Sequence, residues 1–440
     1  MRAAFDLLAD AVCISVPGVD RTTLFYSAES SDFLRFNHAA VRQATHVSQA
    51  YGTVTVVSGA RQASGRITLS GSVEADTAAL LAERSVLVAQ LPMVPDDAYL
   101  MLPTELASTD RDASGDLPQA AQIIDAVAAH AAGTDFVGFY AGGPVMRGFA
   151  DSRGQRNWHC ARSFLFEWCL YQAGDKAVKS AYAGTHWDGA AFAAKMAAAR
   201  EMLTRLSRPV RQVQPGAYRV YFSHRAVADL LGTLSWGGFG HKSLQTGVST
   251  LILAHRGEAQ FSPAVALTEA SARGIAPRFQ AEGFVKPDAV PLVRDGRPAG
   301  TLVSPRTARE FGIAANGAHA GESPESLEMA GGELPSEDAL AALGTGVYIS
   351  DLHYLNYSDR QACRMTGMTR FACFWVEDGE LVAPISVMRF DDSLLRMFGS
   401  GLVALTRETE LVPDSATYGE RQLGSITAPG AIVEGFRFTL

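Results

Sequence analysis

Residues 359–385 read D-R-Q-A-C-R-M-T-G-M-T-R-F-A-C-F-W-V-E-D-G-E-L-V-A-P-I and give the strongest local fold signal in the sequence. The aromatic segment Phe374–Glu377 is followed by Asp378-Gly379 and then by a second apolar segment that ends at Pro384. An Asp-Gly pair between two such segments is typical of a two-residue turn between antiparallel strands. The stretch therefore predicts a β-hairpin.

Upstream of this hairpin, the second half of the chain predicts strands and one clear helix. Tyr218–Phe222 indicates a strand, and Ser223 is the expected N-cap of the helix that follows, which has apolar residues at helical spacing. The stretch 314–336, rich in Ala, Gly, Ser and Glu, predicts an exposed or mobile loop. Further strands are predicted at Ser249–His255, Ala289–Arg294, Val347–Ile349, Phe371–Glu377, Glu380–Ile385 and Ile426–Leu440.

The first half of the chain predicts a mixture of helices and strands. Helices are expected at Ala3–Val12, Ser72–Pro92 and Gly189–Leu206, with another after its predicted N-cap Asp116. The predicted strands are Thr22–Tyr26, Phe33–Asn37, Thr53–Ser58, Arg66–Ser70, Phe136–Tyr140 and Ser163–Tyr171. Two prolines and a glycine in residues 208–216 favour a linker there, so we predict domains 1–212 and 213–440. The fold class is α+β, with segregated and mostly antiparallel strands.

Composition narrows the classes of function. The 440 residues include 38 Lys+Arg and 46 Asp+Glu, so the formal net charge is −8. This acidic balance argues against a dedicated nucleic-acid binder, because phosphates require a positive surface. No apolar run reaches the roughly 18 residues that a membrane span requires. The five cysteines are scattered and odd in number, which favours a reducing cytoplasm over a disulfide framework.

No complete catalytic motif is present in the sequence. None of the ten histidines lies in an H-E-x-x-H, H-x-H or H-x-x-x-H pattern. The glycine-rich run 237–243 ends like a phosphate-binding loop, but His241 replaces the glycine before Lys242. Ser235 lacks the spacing of a nucleophile elbow, so we interpret Ser235 and Trp236 as the end of the helix that begins after Ser223.

The order of the segments resembles the TldD/PmbA (TldE) family. In that family a strand of small residues leads into F-W-I/V-E-N/D-G-E-x-x-x-P-I/V, to which residues 359–385 are similar. The other segments that follow the family order are Phe33–Asn37 with Tyr51-Gly52, Phe149–Gly154, Pro291–Gly300, Ser304–Gly317 and Gly344–Ser350. The resemblance covers nearly the whole chain. It implies an N-terminal α/β domain with an antiparallel sheet and helices, and a strand-rich C-terminal domain with a mostly antiparallel sheet.

The resemblance also identifies where a zinc site would lie. TldD-type subunits carry an H-E-x-x-x-H motif on the helix after the first strand of the C-terminal domain, and a Cys ligand near the C-terminus. Aligning that helix through Leu230-Leu231 places the motif at Gly232, Thr233 and Gly237, and no cysteine follows Cys373. Without ligands and a general base, zinc cannot activate water. We therefore expect no catalytic residue, metal or other cofactor in this chain.

This pattern resembles the TldE/PmbA-type subunit. The family resemblance then implies a non-catalytic partner of a zinc-bearing TldD-like subunit, in a heterodimer whose cleft cleaves unfolded peptides or trims peptide precursors. Trp236, His241 and Cys373 are the candidate residues of a peptide groove. Cys373 replaces a common glycine of the family, and bulky residues such as Met365 enlarge a segment that normally has small ones. These departures favour a subunit specialised to a biosynthetic pathway.

Two other hypotheses remain at this point. The chain could be a stand-alone homodimeric peptide-binding protein without proteolytic activity, or an enzyme that uses Cys373 or His241 without a metal. Modulation of gyrase, a historical label of the family, is not favoured for an acidic chain without a basic stripe.

Overall fold

The computed structural model describes residues 1–172 and 176–439. The helices in this part of the chain are α1 (Arg2–Val12), α2 (Val73–Gln90), α3 (Ala120–Ala131), α4 (Gly189–Leu206), α5 (His224–Leu234), α6 (His241–Gln245), α7 (Ile252–His255), α8 (Pro305–Phe311), α9 (Ala339–Leu343) and α10 (Leu394–Met397). Two short 3₁₀ turns lie at Leu91–Met93 and Ser336–Asp338. None of the helices in these residues is long and apolar enough to cross a membrane.

The described strands form two sheets. The first sheet contains β1 (Arg21–Asn37), β2 (Ala40–Ser58), β3 (Arg61–Thr68), β4 (Thr109–Asp112), β5 (Asp135–Asp151), β6 (Arg156–Tyr171) and β7 (Ala177–Gly184). The second sheet contains β8 (Gly216–Phe222), β9 (Leu267–Glu269), β10 (Val290–Arg294), β11 (Arg297–Pro298), β12 (Ser326–Met329), β13 (Gly346–Ile349), β14 (Asp351–Asp359), β15 (Arg364–Arg370), β16 (Phe374–Glu377), β17 (Glu380–Pro384), β18 (Arg389–Ser393), β19 (Leu402–Pro413) and β20 (Ser425–Phe438).

The first sheet has the strand order β3-β2-β1-β5-β6-β4, and β7 pairs with the far end of β6. Its pairs are antiparallel except for β4 with β6. Helices α1 and α2 bury Phe5 and Leu80 against strand residues such as Leu24. Helices α3 and α4 bury Ile123 and Phe192 against a second cluster on the same sheet. Burial of these side chains removes apolar surface from water, which stabilises the layer.

The second sheet is built around β8 and β20. Its main order is β11-β10-β9-β12-β20-β8-β13-β16-β17, with β14, β15, β18 and β19 attached at the side. The β8–β13 and β12–β20 pairs are parallel and the others are antiparallel. Helix α5 packs its apolar face on this sheet, where Leu230 and Leu231 join the core with Val220 and Val433. The fold is thus the predicted α+β class with antiparallel sheets.

Several local predictions are confirmed. The C-terminal hairpin pairs β16 with β17, and Asp378 and Gly379 form its turn with φ angles of +49° and +82°. Positive φ at both central residues is the geometry that Asp-Gly favours. Helix α4 has the predicted bounds, and Ser223 caps α5 by accepting a hydrogen bond from the Ala226 N–H.

Three local predictions are wrong. Ser249–His255 is not a strand, because Leu251 and Ala254 are buried at helical spacing and Ile252–His255 forms α7. Asp116 does not cap α3, which begins after Gln119, where the Gln122 side chain accepts from the Gln119 N–H at 2.8 Å. The carbonyl of Asp116 instead accepts from the Trp187 N–H, near the start of α4.

The third wrong prediction is the exposed loop at 314–336. Its residues Ser326–Met329 form β12, which pairs with β9 on one side and β20 on the other. Leu327 and Met329 are buried, so a short apolar pair within a polar stretch was enough for a central strand. Predicted strands in the first sheet were also too short, since Thr22–Tyr26 and Phe33–Asn37 belong to the single strand β1. Of the last predicted strand, residue 440 lies outside the described residues.

Candidate functional site

Helix α5 connects two polar sites, one at each of its ends. Ser223 starts the helix and also donates its hydroxyl to the Ser350 carbonyl at 2.5 Å, which fixes the N-terminus beside β14. The eleven residues of the helix span about 16 Å. Because the face that includes Leu230 and Leu234 is buried in the core, the two ends are held in fixed places.

The C-terminal end of α5 carries the residues aligned with a metal motif. Thr233 is buried, its hydroxyl donates to the Asp229 carbonyl at 3.0 Å, and its own carbonyl accepts from the Tyr357 hydroxyl at 3.0 Å. Gly237 follows the helix with a φ of +86°, and a Cβ there would lie 3.3 Å from the Arg360 guanidinium. Arg360 also donates to the Trp236 carbonyl at 2.8 Å. Tyr357 and Arg360 therefore cover this helix end.

Two of the predicted groove residues lie near this end. The Trp236 side chain is 54% exposed. His241 begins α6, lies within hydrogen-bond distance of the Thr301 hydroxyl at 3.1 Å, and packs edge-on against Phe311. A Cβ at Gly237 would lie 3.5 Å from the hydroxyl of Ser243, which is in α6 with His241. Trp236 and His241 therefore belong to one surface region.

The N-terminal end of α5 carries a half-buried charged cluster. Arg225 lies 2.5 Å from a Glu167 oxygen and 3.1 Å from an Asp351 oxygen. Lys179 lies 3.6 Å from the same Glu167 oxygen. Asp229, one turn along α5, accepts from the Leu352 N–H at 3.5 Å. We call these five side chains the α5 charge cluster. It joins β6 and β7 of the first sheet to α5 and β14.

Burial and charge balance shift the pKa values within the α5 charge cluster. Burial raises the pKa of Asp229 to about 7, an effect that Arg225 partly opposes and Asp351 reinforces. Burial likewise raises the pKa of Asp351, against the attraction of Arg225. For Glu167, Arg225 and Lys179 outweigh the effect of burial and lower the pKa. Near neutral pH the cluster thus contains two cations, one firm carboxylate and two carboxyl groups that ionise less readily.

A cleft of about 500 Å³ opens beside the cluster. Its walls are β7, α4 and the last residues of β19, and Glu167, Arg225 and Asp351 lie at its floor. Lys195 and Glu410 form an ion pair of 3.1 Å across the rim. Apolar residues from three of these elements line the rest: Val178, Ala181, Ala198, Ala199, Met202, Leu411 and Val412. The cleft is thus a concave volume with both apolar and charged walls, and a concave site with convergent polar groups is a candidate ligand site.

The part of the chain that contains both ends of α5 matches a known protein family. The PmbA/TldA metallopeptidase C-terminal domain matches residues 215–440, which is just over half of the chain. The chain belongs to the PmbA/TldD metallopeptidase family. The match begins one residue before β8 and includes both ends of α5.

Solved structures share the fold over the whole PmbA/TldD chain. TldE from Thermococcus kodakarensis has a TM-score of 0.78 at 13% identity, with 100% of this chain and 98% of that chain covered. A proposed modulator of a DNA gyrase from Thermotoga maritima has a TM-score of 0.76 at 15% identity, with both chains fully covered. Another from Bacteroides thetaiotaomicron gives 0.72 at 16% identity, covering 100% and 97%. No curated protein sequence matches this chain significantly.

The residues at the end of α5 do not fit the zinc expected in a PmbA/TldD metallopeptidase. Proteins hold zinc with Cys, His and carboxylate side chains, but Gly232, Thr233 and Gly237 supply none of these atoms. The charged group next to Gly237 is the Arg360 guanidinium, which repels a cation. Within residues 1–172 and 176–439, no three His, Cys, Asp or Glu side chains are grouped so that they could hold a metal ion.

Cys373 lies away from the other two predicted groove residues. Its side chain is 3% exposed, and its thiol lies 3.2 Å from the Arg370 carbonyl and 4.0 Å from the Ser350 hydroxyl. Ser350 contacts the N-terminal end of α5, whereas Trp236 follows the C-terminal end. Burial also raises the pKa of the Cys373 thiol to about 11, so the nucleophilic thiolate is scarce. The structure does not bring Cys373 and His241 together.

The α5 charge cluster and the cleft were missed in the sequence. Their residues come from β6, β7, α5 and β14, so no short motif contains them. The available signal was the pair Arg225 and Asp229, two charged residues four apart on a helix whose other face is apolar. The charged residue Asp351, just after the apolar strand β13, was a second signal.

Proposed function

We propose that this chain is a TldE/PmbA-type subunit that has no zinc site of its own and works with a TldD-like zinc metallopeptidase. The observation that carries this proposal is the C-terminal end of α5. Gly232, Thr233 and Gly237 stand at the aligned positions of the metal motif, and Arg360 lies where a second histidine would project.

This helix end differs from a metal site in two ways: the ligands are missing, and the positively charged Arg360 is present. A guanidinium keeps its charge at any physiological pH, and its hydrogen bond to the Trp236 carbonyl holds it beside Gly237. A divalent cation placed nearby would be repelled by this charge. The zinc and the general base of the complex would then belong to the partner subunit.

The role of this chain in the complex is to bind and position peptide. An extended peptide needs strand edges and a partly apolar surface, and the chain offers both in the cleft beside the α5 charge cluster. The substrate is an unfolded peptide or a peptide precursor, and the cytoplasmic location predicted from the cysteines belongs to the same proposal. Of the departures from the family pattern, Cys373 and Met365 are buried, so they lend no surface to a specialised substrate.

Co-expression tests this function. A TldD-like partner is purified with this chain, with the chain omitted, and with a variant in which Trp236→Asp and Val248→Asp place charges on the exposed surface near α6. The complex is expected to cleave an unfolded peptide, the partner alone to cleave it much more slowly, and the variant to form less complex. Equal cleavage by the partner with and without this chain would reject the proposal.

A second candidate, which the same cleft supports, is a stand-alone homodimeric peptide-binding protein without proteolytic activity. Light scattering coupled to size-exclusion chromatography separates the two candidates. A stable homodimer that ignores the TldD-like partner would favour this second function.

A further inference from the structure

Helix α2 has an apolar side that faces solvent. Six exposed apolar residues follow one another at alternating spacings of four and three along α2 and the 3₁₀ turn after it: Ala75, Ala79, Ala82, Val86, Ala89 and Met93. This alternation places all six along one side of a helix. The opposite side is also apolar, and Leu80 and Leu87 are buried there against the first sheet. Helix α2 is therefore apolar on two opposite sides.

The charged residues of α2 mostly contact this chain and do not surround the exposed side. Of the four charged residues, Asp76 accepts from the Ser70 N–H at 2.7 Å, and Arg84 donates to a carbonyl at the end of α1 at 2.7 Å. The Glu83 carboxylate covers Gly65 of β3. A helix on the surface of a monomer usually directs its charges to solvent and buries a single apolar stripe. The exposed side of α2 has the opposite character.

Helix α1, which packs beside α2, adds further exposed apolar side chains. In the described part of residues 1–212, six large apolar side chains are at least 45% exposed. Five of the six lie on α1 or α2 or within three residues of their ends: Met1, Leu7, Ile14, Val86 and Met93. We call these five residues and the four exposed alanines of α2 the α1–α2 surface. Such a concentration of exposed apolar side chains marks an interaction site.

The spacing along α2 indicates a second copy of the same helix, in antiparallel orientation, as the occupant of this surface. The order of spacings is the same in both directions, so two antiparallel copies place every exposed apolar position opposite another one. With a twofold axis at residue 84, the facing pairs are Ala75–Met93, Ala79–Ala89 and Ala82–Val86. In two of these pairs a small residue faces a large one, which favours close packing without voids. Parallel copies would instead place each residue opposite itself.

The composition of α2 argues against a lipid surface as the occupant. Helices that lie on membranes usually carry Lys or Arg beside a bulky apolar face. The exposed charged residue of α2 is Glu74, and alanine occupies four of the six apolar positions. Alanine contributes little to insertion into lipid, but it lets two helices approach closely. These features favour a protein helix.

We propose that two copies of this chain associate through the α1–α2 surface, with their α2 helices antiparallel about a twofold axis at Arg84. This inference goes beyond the proposed function and does not rest on it, because the surface shares no residue with α5 or with the cleft. The interface is small, so we expect a reversible dimer with a dissociation constant on the order of 10 μM.

Sedimentation equilibrium of the full chain tests the association. Val86→Glu places a carboxylate against Ala82 of the second copy, so it should weaken the dimer at least about tenfold. Gln90→Glu is the matched control, because it adds the same charge at an exposed position of α2 outside the six, and it should leave the dissociation constant unchanged. A parent chain that is monomeric at about 100 μM would overturn the proposal, as would a dimer that Val86→Glu does not weaken.

Cysteine cross-linking tests the antiparallel arrangement separately. A disulfide requires Cα atoms within about 7 Å of each other. A mixture of Ala79→Cys and Ala89→Cys chains should therefore form a covalent dimer under mild oxidation. Neither variant alone should do so, because each new cysteine would lie about 15 Å along the helix axis from its own copy. The parent chain controls for the native cysteines. Rapid cross-linking of Ala79→Cys with itself would indicate parallel helices and overturn the proposal.

The remaining alternative occupant is a TldD-like subunit. If that subunit covered the α1–α2 surface, Val86→Glu would prevent the heterodimer, whereas Gln90→Glu would not. Our proposal predicts that both variants form the heterodimer as the parent chain does, and loss of it in Val86→Glu alone would overturn the assignment to a second copy. Failure of the proposed function has a different sign, which is equal proteolysis with and without this chain, and it leaves self-association unchanged.

Discussion

At the scale of single residues, the environment of Asp229 changes the chemistry of its carboxyl group. Its pKa of about 7 in the folded chain compares with 3.8 for the ordinary group. Between these values the unfolded chain releases the proton that the folded chain keeps, so the free energy of unfolding falls as pH rises from about 4 to 7. Above pH 7 both states are ionised and the loss is complete.

Asp229→Asn is therefore expected to stabilise the protein at alkaline pH. Asparagine keeps the shape of the neutral acid and cannot ionise. The increase in the free energy of unfolding over the parent chain should therefore grow from near zero at pH 4 to on the order of 2–4 kcal/mol above pH 7. Urea unfolding at pH 5 and pH 8 measures it. A gain that shrinks as pH rises would contradict the assignment.

At the scale of elements, two glycines at the end of α5 give opposite predictions. Gly237 has a φ of +86°, and a Cβ there would press on Arg360 at 3.3 Å. Gly237→Ala is expected to lower the free energy of unfolding by about 1–2 kcal/mol, since the left-handed backbone suits only glycine. Thermal unfolding of the variant measures the loss.

Gly232→Ala, in the last turn of α5, is the matched control. A Cβ at Gly232 would meet only Ile426, at an ordinary contact distance of 3.5 Å. Alanine in a helix is more favourable than glycine by about 0.5–1 kcal/mol, so this variant should be more stable than the parent chain. If Gly237→Ala were stabilising as well, the backbone at Gly237 would not have the left-handed conformation.

The elements that could be predicted from sequence are those with a local cause. The C-terminal hairpin follows from Asp378-Gly379, and helix α5 follows from its cap Ser223 and its apolar spacing. Strand β12 could not be predicted, because a four-residue strand gains its stability from β9 and β20 on either side. The same limit applies to the cleft, whose walls are distant in sequence and meet only through the packing of the two sheets.

Only the part of the candidate site that has a local cause could be predicted from the sequence. The resemblance located the end of α5, with Trp236 and His241 on one surface region there, because the helix is a local feature. Cys373 was grouped with them only by sequence pattern, and its burial beside Ser350 depends on the pairing of β13 with β16. The α5 charge cluster needs both sheets, so single-sequence motifs do not contain it.

At the scale of the whole molecule, His159 links the first sheet to the connection between β9 and β10. On β6 of the first sheet, it donates from Nε2 to the carbonyl of Ile275 at 2.9 Å, and burial lowers its pKa to about 4. The unfolded chain binds the proton from about pH 6.5 downward, so this group's contribution to stability is present above pH 6.5 and is lost as pH falls to 4.

His159→Gln should therefore lessen the acid sensitivity of the protein. Protonation of His159 on unfolding is expected to lower the free energy of unfolding of the parent chain by up to about 3 kcal/mol between pH 6.5 and 4. The variant should lack that part of the pH dependence. Urea unfolding of both proteins at pH 7 and pH 4.5 provides the comparison. Parallel pH profiles would mean that His159 is not buried as a neutral side chain.

A second link of this kind is Arg421, in the connection between β19 and β20. Its guanidinium donates to the carbonyl of Gly143 at 3.0 Å and of Ser163 at 2.9 Å, which holds the segment 414–424 against the first sheet. Arg421→Ala leaves these acceptors unpaired and should cost about 3 kcal/mol. Tyr418 is fully exposed, so limited chymotrypsin cleavage after Tyr418 should accelerate in the variant.

Arg421→Lys is the control for charge alone. Lysine keeps the positive charge but lacks the planar fork that reaches two carbonyls together, so cleavage should be intermediate. Equal cleavage rates in the parent chain and in Arg421→Ala would contradict the anchoring role.

The central claim is that the zinc of the complex is not bound by this chain. Its most direct test is metal analysis by mass spectrometry of the chain purified alone and of its complex with a TldD-like partner, after dialysis against a weak chelator. We predict negligible zinc in the chain alone and one zinc per heterodimer in the complex. One zinc per chain in the protein purified alone, retained through dialysis, would contradict the claim.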